Sequence, residues 1–183
     1  MADRAVDKYL NDHLGGATLG TDLAAHIRDH YAGTPFGDEM KSLAAEIEND
    51  RKTLVDLMER IGVQPNPVKQ AFGWVAEKVA GVKFSGVFGD PEQGAFMALE
   101  SLMLGVEGKA SMWRSLKQIA DEYPSLATTD LDHLLERAES QKATLQSEIL
   151  TAAKTTLHDD GEHKPFNAYS AENPPSRDER VPA

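Results

Sequence analysis

Glu100, Glu107 and Arg114 follow one another at seven-residue steps inside the stretch Gly94 to Tyr123. Seven residues are two helical turns, so on a helix these side chains share one edge. They border an apolar stripe made by Phe96, Leu99, Met103, Val106, Ala110, Trp113, Leu116 and Ala120, spaced by threes and fours. Carboxylates beside an apolar seam belong either to a metal or acid/base site or to an ion network. Glu100 and Glu107 stand about 10 Å apart along the axis, too far to share a proton, so salt bridges to a neighbouring helix are the better reading for that pair. Asp50 is the second chemically informative residue, because it takes the seam position between Ile47 and Leu54 with Arg51 beside it. A charge there is costly unless it is paired. Between Ala138 and Leu145 the last seam must carry Gln141 or Lys142. His13, next to Leu14, reads as a hydrogen-bonded histidine at the core edge, with a metal ligand as the alternative.

Four long helices must position these groups. The first is expected from Asp3 to Tyr31, with Val6, Leu10, Leu14, Ala17, Ala24, Ile27 and Tyr31 inward. Its Gly15, Gly16 and Gly20 each cost up to about 1 kcal/mol relative to alanine in a helix interior, which suggests close approach of another backbone, or else a kink. Thr34-Pro35 starts the second helix with a hydroxyl cap and a first-turn proline, and Gly62 ends it after Ile61. Met40, Leu43, Ile47, Leu54, Leu57 and Ile61 form its seam. The third is the stretch already described, stopped by Pro124. The fourth is capped by Thr129 or Asp130 and runs to Leu157 with Leu131, Leu134, Ala138, Leu145, Ile149 and Ala152 inward.

Asn66-Pro67 opens a further short helix between the pairs. Val68, Phe72, Val75, Val79 and Val82 make its stripe, and Trp74 lies within it. This helix is expected to pack across the other four. Phe72, Trp74, Val75 and Val79 would be the contacts if it instead docked on a partner or a membrane surface. Lys83 to Gly94 reads as a glycine-rich loop without either nucleotide-binding spacing. From His158 onward the periodicity stops among prolines and charges, so residues 1–157 read as a helical domain and 158–183 as a flexible polar tail.

The 183 residues suit one domain with its own core. The absence of cysteine removes disulfides, thiolate metal sites and cysteine nucleophiles, and fits a cytoplasmic location. A net charge of −11 argues against nucleic acid and anionic membranes as partners. No run of about eighteen apolar residues occurs, and the charged start MADRAVDKYL reads as lacking a secretion signal. There is no nucleophile elbow, HExxH zinc motif or calcium-binding loop.

Helices of 25–30 residues are about 40 Å long. Two pairs with short internal links and a long crossover favour an all-α, ferritin-like antiparallel four-helix bundle with the extra short helix between the pairs. The helix midpoints, near Ala17, Asp50, Glu107 and Lys142, then share one height. Di-metal carboxylate bundles place a glutamate from two helices and Glu-x-x-His from the other two at that level.

Val106-Glu107-Gly108-Lys109, the segment Glu139 to Thr144, and the Glu-rich helix from Leu43 to Gly62 resemble the stress-associated ferritin-like bundles of the YciF type, over most of Val6 to Leu157. The resemblance implies iron or manganese ligands, for which Glu107, Glu139, Glu46, Asp50 and His13 would be the candidates. It also implies a histidine where Gly108 stands. More generally, ferritin-like iron sites want a histidine three residues after a glutamate, yet Glu48 is followed at that spacing by Arg51 and Glu139 by Lys142. Protonated Arg and Lys are donors only and cannot ligate a metal. A polar layer of Asp50, Arg51, Glu107, Lys142, Glu48 and Glu139 is therefore expected in place of the metal. The function expected with it is non-catalytic, that of a structural or protein-interaction protein working with a protein partner or as a homodimer. A metal-binding oxidoreductase is the alternative.

Overall fold

The computed structural model describes residues 3–66 and 91–157. Among them the chain is all-α: five helices and one 3-10 turn, with no strand. The long helices are α1 (Arg4–His30), α2 (Pro35–Ile61), α3 (Pro91–Gln118) and α5 (Leu131–Thr156), and α4 (Pro124–Ala127) is a single turn. No helix among the described residues is long and apolar enough to cross a membrane. The short helix expected over Val68 to Val82, with Phe72, Trp74, Val75 and Val79, and the tail from His158 lie outside the described residues.

Local chemistry sets the ends. Asp3 caps α1 by accepting from Ala5 N, Thr34 caps α2 by accepting from Gly37 N at 3.0 Å, and Asp130 caps α5 by accepting from His133 N at 2.9 Å. Gly62 ends α2 in the left-handed region at φ 79°, which glycine adopts without the Cβ penalty. Gly37 is required for another reason. A Cβ built there would lie 2.0 Å from the Tyr31 carbonyl oxygen, so the α1–α2 turn closes against bare backbone.

Two expectations are corrected. The third long helix does not continue to Tyr123. It ends at Gln118, the backbone tightens into i→i+3 bonds over Ala120–Glu122, and Pro124 begins α4 rather than stopping α3. The residue before a proline is pushed out of the helical region while proline itself suits the first helical position, and Tyr123 is accordingly extended. Nor do Gly16 and Gly20 admit a neighbouring backbone, since nothing lies within 4 Å of a Cβ added at either.

α1 packs on α2 and α3, and α3 packs on α5. Asn11, 2% exposed, joins the start of α1 to the exit from α2 by donating to Gln64 O and accepting from Asn66 N at 2.7 Å. The apolar interior forms two clusters. One gathers Ile27, Met40, Leu43, Ile47, Leu99, Val106, Leu145 and Ile149. The other gathers Leu10, Leu14, Leu54, Leu57, Met112, Trp113, Leu116 and Leu134.

The two glycine classes predict opposite outcomes. Gly37→Ala should destabilise by about 1–3 kcal/mol through overpacking. Gly16→Ala should stabilise by roughly 0.5–1 kcal/mol through helix propensity. Urea denaturation midpoints check both, and a neutral Gly37→Ala would contradict the close turn.

Candidate functional site

The two apolar clusters meet at Asp50. Ile47 precedes it on α2 and belongs to the first cluster, while Leu54 follows and belongs to the second. The Asp50 side chain is 2% exposed. Such a charge persists only where partners replace its lost hydration. Four hydrogen bonds do so. Arg137 Nε donates to Oδ1 at 2.7 Å and Arg137 Nη2 donates to the same oxygen. Lys109 Nζ and Gln141 Nε2 donate to Oδ2, the amide at 3.0 Å. Gln141 ties the group further, accepting from Lys109 Nζ and donating to Glu46 Oε2 at 3.1 Å.

Three helices thus converge on one carboxylate. Asp50 and Glu46 share a face of α2 at i,i+4 spacing, Arg137 and Gln141 share a face of α5 in the same way, and Lys109 comes from α3. The Lys109 and Arg137 side chains are only 14% and 19% exposed. Burial holds the Lys109 ammonium below the usual lysine value, while the negative charge of Asp50 opposes that shift.

Glu107, Glu139 and Lys142 meet in a second group, nearer the surface. Arg114 Nη1 donates to Glu107 at 3.0 Å and its Nη2 donates to Glu139. Lys142 reaches both Glu107 and Glu139, the latter at 2.9 Å. The Lys142 ammonium and Arg114 guanidinium hold the Glu107 carboxyl below the usual carboxylate range. Its side chain is 47% exposed, so this ring along the α3–α5 seam lies in the screened regime. Arg51 turns away from Asp50 and forms a bidentate pair with Glu48 one turn back on its own helix, both bonds 2.9 Å. His13 lies edge-on to Tyr9 with ring centroids 4.5 Å apart, and burial lowers its pKa against the opposing charge of Asp12. Glu100 is half-buried on α3.

The structure therefore brings Asp50 and Glu46 together, places Glu107, Glu139 and Lys142 in a separate ring, and leaves Arg51, Glu48 and His13 apart from both. The cations that meet Asp50 are Lys109 and Arg137, neither of which the apolar seams had singled out. Gln141, rather than Lys142, is the buried residue between Ala138 and Leu145. Leu102, Lys109 and Leu116 repeat at seven-residue steps, and both leucines are buried. That second stripe on α3 is the signal that would have turned Lys109 inward.

The donor set is already committed to other partners. Both Asp50 oxygens already accept from cations, and the Glu107 and Glu139 carboxylates from Arg114 and Lys142. No three of His, Asp and Glu among the described residues converge as a metal site would require. These residues do not fit a di-iron or di-manganese centre. Compared with protein-family models, with curated proteins and with solved structures, the chain matches none.

Asp50→Ala leaves two buried cations without their anion and should cost about 3–5 kcal/mol. Arg51→Ala, losing one half-exposed pair on its own helix, should cost less than about 1 kcal/mol. Denaturant midpoints of the two variants check this, and equal effects would remove the distinction between the neighbours. Across the α2–α5 interface, burial first and the Glu39 carboxylate second raise the Glu148 pKa. The folded chain then holds a proton that the unfolded chain has released, and stability falls as pH rises through the window above the ordinary glutamate value. Glu148→Gln should stabilise the fold at pH 7 by roughly 0.2–1 kcal/mol, read as a higher melting temperature, and show no gain near pH 4. An equal gain at both pH values would contradict this.

Proposed function

We propose that the chain is a non-catalytic protein of ferritin-like architecture. In this reading α1, α2, α3 and α5 form an antiparallel four-helix bundle. A cation–carboxylate cluster stands at its mid-height in place of metal ligands, and the protein works as a structural or interaction protein in the cytoplasm without a metal cofactor. One observation carries it: each oxygen of the central carboxylate, Asp50, accepts from a cation on a different helix. A carboxylate so engaged has nothing left for a metal, and the adjacent positive charges would repel one.

Other features support the layout. The four-residue link between α1 and α2, with Asn11 joining opposite ends of the pair, suits a helical hairpin. The Lys117–Asp132 ion pair, between the end of α3 and the start of α5, suits a second. Two hairpins with an intervening segment from 62 to 90 are the arrangement of a bundle with one long crossover. The YciF-type resemblance agrees with this layout. Exposed Leu104 and Leu150 are apolar side chains available for self-association as a homodimer.

Protein purified from metal-replete medium should carry no stoichiometric iron, manganese or zinc. Added ferrous or manganous ion should also leave its melting temperature unchanged, since a ligand that binds only the folded state must raise it. Elemental analysis giving one or two ions per chain would reverse the reading.

A further inference from the structure

Residues of α1, α2 and α3 line a partly open cavity of about 310 Å³ beside the Asp50 cluster. An engineered apolar cavity of about 150 Å³ holds benzene, so this one has room for roughly ten heavy atoms. Gly16 and Gly20 on α1 and Gly105 and Gly108 on α3 line it, and a Cβ added at any of the four would meet nothing within 4 Å. Each glycine weakens its helix relative to alanine, so the open space is kept at a cost in stability. Ile47, Leu54, Leu102, Met112 and Trp113, all buried, form its inner wall.

The charged groups of the lining are either matched already or stand at its mouth. Lys109 donates to Asp50 and Gln141, and Asp50 accepts from Arg137 as well. Arg51 is held by both oxygens of Glu48. The Trp113 indole nitrogen is sealed off and offers nothing to a guest. Asp12 and His13 are half-buried, close in sequence to the exposed Gly16, so solvent still reaches them. Burial holds His13 below the usual histidine value against the opposing charge of Asp12, so its imidazole is neutral at neutral pH. A charged guest would lose hydration inside without a buried partner of opposite sign left to engage. The inner wall rewards apolar surface alone.

We propose that this cavity binds a compact, neutral, apolar molecule. Its hydrocarbon body lies between the glycine walls of α1 and α3, with any hydroxyl turned to the mouth beside Asp12 and His13.

Calorimetric titration of the full chain with 1-octanol, octanoate and 1-octylamine tests this. The alcohol should saturate a single site at millimolar concentration or below. Octanoate should bind at least about tenfold more weakly, since its carboxylate would give up water beside Asp12. The amine should bind no more tightly than the alcohol, because a solvent-exposed pair with Asp12 adds little. Gly108→Leu and Gly20→Leu place a side chain in the space from opposite walls and favour the helix, and each should weaken the alcohol at least about tenfold. Ser111→Leu, on the exposed face of α3, should leave its affinity unchanged. No saturable binding of the alcohol, tighter binding of either ion, or unchanged affinity in both glycine variants would overturn the proposal. None of these outcomes depends on whether the protein carries a metal, so failure here leaves the metal-free reading standing.

Discussion

The Asp50 carboxylate is a negative charge placed between two apolar clusters, and the surrounding structure is shaped by the need to compensate it. Desolvating a carboxylate costs several kcal/mol even after relaxation, and only close, well-directed partners offset that. Here the partners come from α3 and α5, so each bond also fixes one helix against α2 at one height. Sliding either helix by a turn, about 5.4 Å, would bury a carboxylate without its cation and a cation without its carboxylate. The neighbouring leucines and isoleucines would tolerate such a slide far better, because apolar contact is non-directional. Asp50, Lys109, Arg137 and Gln141 thus supply the positional specificity that two greasy clusters alone would not.

The same constraint shapes the chemistry at this level. Lysine and arginine present only donors, so the cluster offers a cation no free acceptor on Asp50, whose oxygens accept from Lys109, Arg137 and Gln141. The second charged ring, Glu107 and Glu139 with Arg114 and Lys142, lies nearer solvent, where ion pairs contribute little to stability. Two charged groups of similar composition therefore differ in consequence through burial alone.

Much of the helical layout was legible in the sequence because its signals are local. Thr34-Pro35, Gly62 and Asp130 act through their own backbone, and the seams from Leu10 to Ile27 and from Met40 to Ile61 follow from helical periodicity. Asp50 was legible as a buried charge for the same reason. Its partners were not, because a partner is chosen by how helices rotate against one another. Arg51 is adjacent in sequence yet pairs with Glu48, whereas Lys109 and Arg137 arrive from 59 and 87 residues away. The polar layer expected at the helix midpoints had Lys142 and Glu107 in it, but a shift of about 100° per residue around each helix, the angle implied by 3.6 residues per turn, carries them to the α3–α5 edge. The glycines of α1 were visible as anomalies, but whether they admit a backbone or leave a space depends on the distance between helices, which no single helix encodes.

A double-mutant cycle between Asp50 and Arg137 tests the central claim most directly. Asp50→Ala, Arg137→Ala and the double variant would be compared by denaturant unfolding, under conditions where all three remain two-state. If the two side chains form one buried unit, the double variant is less destabilised than the sum of the singles, with a coupling of about 0.5–3 kcal/mol. Additivity within about 0.5 kcal/mol would mean that they do not meet, and the ion cluster at the centre of this account would have to be abandoned.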